Sequence, residues 1–139
     1  MTPADTGGTD VPRVSLKIPA RPENVAVVRK ALSGLADSMR LENGVLTNMK
    51  VAVTEACANV VVHAYEGEGD LELEIVPLDE ELTVVVRDEG KGFRPCVSIA
   101  EDASWRLGMP LIASLTDAVE VGRGPHGRGT EVRMKFATH

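Results

Sequence analysis

The apolar residues of this chain switch period along its length, and the order of the switches limits the layers it can build. Arg13-Val14-Ser15-Leu16-Lys17-Ile18 alternates polar and apolar, the pattern of a strand buried on one face. Pro19 and Pro22 stop it. From Glu23 the period lengthens: Val25, Val28, Leu32, Leu35 and Met39 fall at spacings of 3, 4, 3 and 4, one stripe of an amphipathic helix. Leu41-Glu42-Asn43-Gly44 breaks it. A second helix is predicted from Val45 to Tyr65, with Leu46, Met49, Val53, Cys57, Val60 and Ala64 as its buried face. Glu66-Gly67-Glu68-Gly69-Asp70 reads as a turn. Alternation then returns in Leu71 to Val76, and Leu82 to Arg87 reads as a second strand that Leu78-Asp79-Glu80-Glu81 joins to it as an antiparallel hairpin. Residues 89–104 show no period and contain Gly90, Gly92 and Pro95; loops of that length in a small domain are usually functional or mobile. A short helix over Leu107 to Leu115 precedes two more strands, Ala118 to Val121 and Thr130 to Phe136. This order predicts an α+β fold, a two-layer sandwich of a mostly antiparallel mixed sheet with helices on one face.

At 139 residues and 43% hydrophobic, the chain is expected to form one domain over residues 13–139, after a disordered segment at 1–12. Aromatics are few (Tyr65, Phe93, Trp105, Phe136), so Val, Leu, Ile, Ala and Met must build the core. A net charge of −6 argues against nucleic acid or an anionic membrane as the main partner. Cys57 sits in a helical pattern and Cys96 in a loop, which does not resemble a secreted disulfide scaffold. The first dozen residues lack the apolar run of a signal peptide, and no run is read as a membrane span. The expected compartment is the cytoplasm.

Three polar residues of the second helix, Glu55, Asn59 and His63, are four apart and project from one side. They are expected to face out of the core, with small Ala52 and Ala56 beside them leaving room for an approaching group. Asp88-Glu89-Gly90-Lys91-Gly92 follows a strand, and Gly127-Arg128-Gly129-Thr130 precedes another. Together these read as a nucleotide site: the helix serves metal and phosphate, and the glycine turn reads the base. An amide oxygen such as that of Asn59 is a suitable hard ligand for Mg²⁺ beside phosphate oxygens. Glu55, one turn earlier, is placed to accept the proton of a hydroxyl attacking a γ-phosphate. Asp88 can accept from the exocyclic amine of adenine, while Gly90 and Gly92 let the backbone bend toward the ring. Gly108, near the start of a short helix, offers backbone N–H groups to phosphate. His63 either packs near the phosphates or is structural.

Glu-x-x-x-Asn on a helix, Asp-x-Gly-x-Gly after a strand, Leu107-Gly108-Met109 before a helix and Gly-x-Gly-Thr before the last strand resemble one superfamily. It is the ATP-binding superfamily of histidine kinases, gyrase, heat-shock chaperones and MutL. Within it, Val53-Thr54-Glu55-Ala56-Cys57-Ala58-Asn59 with His63-Ala64-Tyr65 looks like the small anti-sigma serine kinases of bacteria. The resemblance runs from about residue 13 to 136 and identifies Thr130 with the family threonine that supports the base. Where the family has the first lid glycine this chain has Arg106, which either gives its guanidinium to the phosphates or faces solvent. The lid, residues 93–105, is short for the family.

The resemblance implies an ATP- and Mg²⁺-dependent protein serine/threonine kinase that is also an anti-sigma factor. It would hold a sigma factor inactive and phosphorylate a serine of an anti-anti-sigma protein, leaving ADP, and would act as a homodimer. Glu55 favours this kinase. The altered lid favours the alternative, a nucleotide-binding, partner-switching module without kinase activity.

Overall fold

The computed structural model describes residues 13–65, 67–90, 110–124 and 127–138. The segment 1–12 and the lid residues 93–105 lie outside them. The chain runs β1 (Val14–Pro19), α1 (Pro22–Met39), α2 (Asn43–Asn59), β2 (Asp70–Pro77), β3 (Glu81–Asp88), β4 (Ala118–Arg123) and β5 (Thr130–Ala137). The helix α2 does not stop at Asn59 but continues through a π-helical turn, Val60–Ala64. Residues 110–115 are helical, the described part of the predicted short helix.

The strands form one sheet in the order β1-β2-β3-β5-β4. Every pairing among the described residues is antiparallel, so the mixed character expected of the sheet is not found there. Strand β3 lies at the centre. Its inner face carries Leu82, Val84, Val86 and Asp88; register sets these against Pro77, Ile75, Leu73 and Leu71 of β2 and against Phe136, Met134, Val132 and Thr130 of β5. Because side chains alternate along a strand, the apolar inner residues of neighbouring strands meet on one surface. Both helices cover that surface. Val28, Leu32 and Leu35 of α1 and Met49, Val53, Cys57 and Val60 of α2 join the strand residues in one core. Each large aliphatic side chain withdrawn from water there contributes about 1.5–3 kcal/mol before conformational entropy is subtracted.

Two expectations need correcting. Ala52 and Ala56 do not border an open approach; they are 0% and 1% exposed and belong to the core. Their small side chains let α2 lie close to the sheet, and Glu55 and Asn59 flank this widened stripe, half-buried. Asn43–Ala64 is also long and apolar enough to cross a membrane, at 22 residues and mean hydropathy 1.3. The π turn supplies the extra length, and Met49, Val53, Cys57 and Val60 along this helix belong to the core shared with the sheet.

The outer face of the sheet is polar and cross-linked. Arg87 donates through Nε to Glu131 at 2.8 Å and through Nη2 to Glu74 at 3.1 Å. Arg133 donates to the other oxygen of Glu131 at 2.9 Å, and Arg13 lies 3.4 Å from Glu74. The chain of charges runs from Arg13, just before β1, across the three strands β2, β3 and β5. Burial alone would raise the Glu131 carboxyl, but its two arginine partners outweigh that and hold it below the ordinary value.

Candidate functional site

The inner ends of β3 and β5 meet the C-terminal end of α2. Asp88, last residue of β3, is 6% exposed although it carries a carboxylate. Two backbone donors hold it. The Gly90 N–H reaches Oδ1 at 2.8 Å, and the Thr130 N–H donates from the first residue of β5. Burial nonetheless wins, and the carboxyl sits above its ordinary pKa despite both donors. A desolvated carboxylate with spare lone pairs at a strand end is an acceptor awaiting a donor.

The backbone approaches are close. Gly129 takes φ +70°, where an L side chain is strained, and a Cβ there would collide with the Asp88 carbonyl oxygen. Gly90 does not use left-handed angles; its value is room. A Cβ on Gly90 would strike the Ala64 carbonyl oxygen, so the loop after β3 rests directly on the π turn. That refines the expectation that Gly90 serves to bend the chain.

Asp88, Gly90 and Thr130 are therefore brought together. Glu55 and Asn59 follow along one edge of α2, both half-buried, with Asn59 the last residue of its regular part. His63 lies in the π turn, half-buried. A wider turn carries more residues, so His63 falls short of a full turn from Asn59 and out of line with the Glu55–Asn59 edge. Gly92, Arg106 and Gly108 lie outside the described residues.

The donor set fits a nucleotide better than a protein-held metal. Among the described residues no cluster of three or more His, Cys, Asp or Glu could hold a cation. A single amide such as Asn59 leaves most of an octahedral Mg²⁺ shell to phosphate and water. Cys57 takes no part, being 0% exposed with a thiol that burial pushes up to about 12.

Sequence reasoning missed Gly129 and Tyr65. Gly129 was visible in the Gly-x-Gly-Thr run but not as a neighbour of Asp88. The Tyr65 hydroxyl donates to the Asp70 carbonyl at 2.7 Å and accepts from the Glu89 N–H at 2.9 Å. Nothing in the spacing of the sequence announces that pair of bonds.

Residues 18–136 match the histidine kinase-like ATPase domain family. The serine-protein kinase RsbW of Bacillus velezensis is 34% identical over 127 residues, covering 81% of this chain and 79% of that protein. Its counterpart from Bacillus subtilis is 32% identical over 122 residues, covering 78% and 76%. Among solved structures, the RsbU and RsbW domains of Rv1364c from Mycobacterium tuberculosis superpose with a TM-score of 0.71 at 16% identity. This chain is covered to 91% and spans 32% of that longer one. A blue-light activated histidine kinase domain from Erythrobacter litoralis gives 0.58 at 18% identity, over 87% of this chain and 62% of that one. Both structural likenesses are of fold.

Proposed function

This chain belongs to the histidine kinase-like ATPase domain family, and on that premise we propose an ATP-dependent protein serine kinase that also holds a sigma factor inactive. Its phosphoryl acceptor is a serine of the sigma factor's protein antagonist. The observation that carries the nucleotide half of this reading is the buried Asp88 carboxylate, fixed by two backbone N–H groups and open to one further donor. The exocyclic amine of adenine is such a donor. The kinase half draws its support from relatives about a third identical that bear the name serine-protein kinase.

In this mechanism Asp88 reads the base, with Thr130 and Gly90 holding its carboxylate in place. Asn59 is the protein ligand for Mg²⁺, which when bound neutralises charge on the phosphates. Gly92 lets the backbone approach the adenine ring, Arg106 and Gly108 contribute guanidinium and backbone donors to the phosphate chain, and His63 lies toward the same end of α2. Glu55 takes the proton from the attacking serine hydroxyl. A bond forms between serine Oγ and the γ-phosphorus, the bond from that phosphorus to the β–γ bridging oxygen breaks, and ADP departs with the electron pair. We place the protein in the cytoplasm, where a sigma factor meets RNA polymerase, and propose a homodimer from the family resemblance.

Glu55→Gln separates catalysis from binding. Gln keeps the shape of the side chain but cannot take the proton, so single-turnover transfer to the antagonist's serine should slow by about 10²–10⁴-fold. Binding of ATP and of the sigma factor should be retained. Transfer at the parental rate would remove Glu55 as the base. A parent protein that binds ATP and sigma factor yet labels no antagonist would establish the module without kinase activity instead.

A further inference from the structure

The loop that carries the base-reading carboxylate meets the rest of the fold at two described points, the Ala64 carbonyl and the Tyr65 hydroxyl. Asp88 is anchored in the sheet, but Glu89 is exposed, and a groove of about 620 Å³ opens beside both residues. Tyr65, Gly69, Asp70, Arg87, Asp88 and Glu89 are among the residues that line it. On the inner side Gly90 rests on the Ala64 carbonyl. Across the groove the Tyr65 hydroxyl does two things at once: it accepts from the Glu89 N–H at 2.9 Å and donates to the Asp70 carbonyl at 2.7 Å. One phenol thus ties together the end of α2, the start of β2 and the residue after Asp88. Its ring packs against the core, and Gly69 makes the space, since a Cβ there would run into the ring.

We propose that Tyr65 is a positioning residue for nucleotide recognition: its hydroxyl pins the Asp88-Glu89-Gly90 turn so that the Asp88 carboxylate is held at the adenine edge before the nucleotide arrives. This rests on the reading of Asp88 as the adenine acceptor. The physical reason is preorganisation. A loop that is already ordered loses less conformational freedom when ligand binds, so removing the clamp charges that loss to binding. The effect belongs to affinity and to base choice, not to the transfer step, because Tyr65 acts through Glu89 and Gly90 rather than on the reacting phosphorus. Discrimination depends on it for the same reason. Guanine presents a carbonyl where adenine presents its amine, and a fixed carboxylate rejects that carbonyl more sharply than a loose one.

Tyr65→Phe keeps the ring over Gly69 and removes both hydrogen bonds. Calorimetric titration should show ATP affinity falling about three- to tenfold, the worth of roughly one net hydrogen bond. The preference for ATP over GTP should shrink, while the single-turnover rate at saturating ATP and sigma-factor affinity stay within twofold of the parent. Gly69→Ala attacks the same clamp from below by displacing the ring. It should give the same phenotype, and the double variant should be no worse than either single change. If Tyr65→Phe weakens ATP and sigma-factor binding alike, or leaves the ATP/GTP ratio untouched, the residue is merely structural and the proposal fails. Asp88→Asn is run beside it. Unchanged ATP affinity there overturns the base reading itself, whereas a loss with Asp88→Asn and none with Tyr65→Phe overturns only the clamp.

Discussion

Asp88 shows what a single residue costs the free protein in order to be useful. Its folded pKa is raised, because burial outweighs the Gly90 and Thr130 donors. Between the ordinary carboxylate value and that raised value, the folded chain holds the proton and the unfolded chain has lost it. Stability from this group therefore falls as pH rises through that window and stays lowered at neutral pH. Asp88→Asn removes the buried charge while keeping an acceptor oxygen. The variant should be no less stable than the parent at pH 7 and should lose part of the parent's decline in stability between acid and neutral pH. Its ATP affinity should fall about ten- to a hundredfold, the worth of a hydrogen bond to a charged group. Urea midpoints across pH 4 to 8, paired with calorimetry, test both halves; a variant that loses stability at neutral pH while binding ATP normally would contradict the account.

At the scale of the element, the two helices end in different ways for different reasons. Helix α1 closes with Arg40 in the left-handed region, at φ 56° and ψ 45°, so that its N–H can reach the carbonyls of Ala36 and Asp37. A left-handed cap usually falls on glycine, and the nearest glycine in the sequence, Gly44, lies beyond the turn. Arg40 is exposed and makes no ion pair among the described residues, so little is lost on replacing it. Arg40→Gly should stabilise the fold by about 1 kcal/mol, the strain of an L-residue in that region less the added freedom of glycine when unfolded. Arg40→Ala should give no such gain. The comparison is made by chemical denaturation, and equal midpoints for parent and Arg40→Gly would show the cap to be unstrained. Helix α2 instead widens into Val60–Ala64, and its last carbonyl becomes the floor on which Gly90 sits.

For the molecule as a whole, the sheet order puts β3 where stability must be greatest. It is paired on both sides and covered by helices on its inner face, while outer residues Thr83 and Val85 are also buried beside the charged side chains of β2 and β5. Strands β1 and β4 are the edges. The amides of Val84 to Val86 should exchange with solvent only through global unfolding, whereas those of β1 and β4 that lack a neighbour should exchange by local opening. Hydrogen exchange followed residue by residue decides this. Saturating ATP with Mg²⁺ should add protection around Asp88 to Gly90, and its absence there would separate the loop from the nucleotide.

Period alone was enough for the sandwich. Alternation in β1, β2 and β5, the apolar run of β3 and the three-and-four spacing in α1 and α2 are local consequences of side-chain direction, so they are written in the order of residues. The family motifs named Asp88 and Thr130 for a similar reason: a strand end and the start of the next strand are local features. What the sequence did not reveal depends on where backbone meets backbone. Ala52 and Ala56 read equally as approach or as core until the sheet lies against α2. The π turn has no periodic signature of its own, yet it shifts His63 off the Glu55–Asn59 edge and lifts the Ala64 carbonyl beneath Gly90. The Tyr65 bonds to Asp70 and Glu89 span separations of 5 and 24 residues, and only the folded sheet brings those two groups to one hydroxyl. Side-chain direction is a property of neighbours along the chain; the holding of Asp88 is a property of neighbours in space.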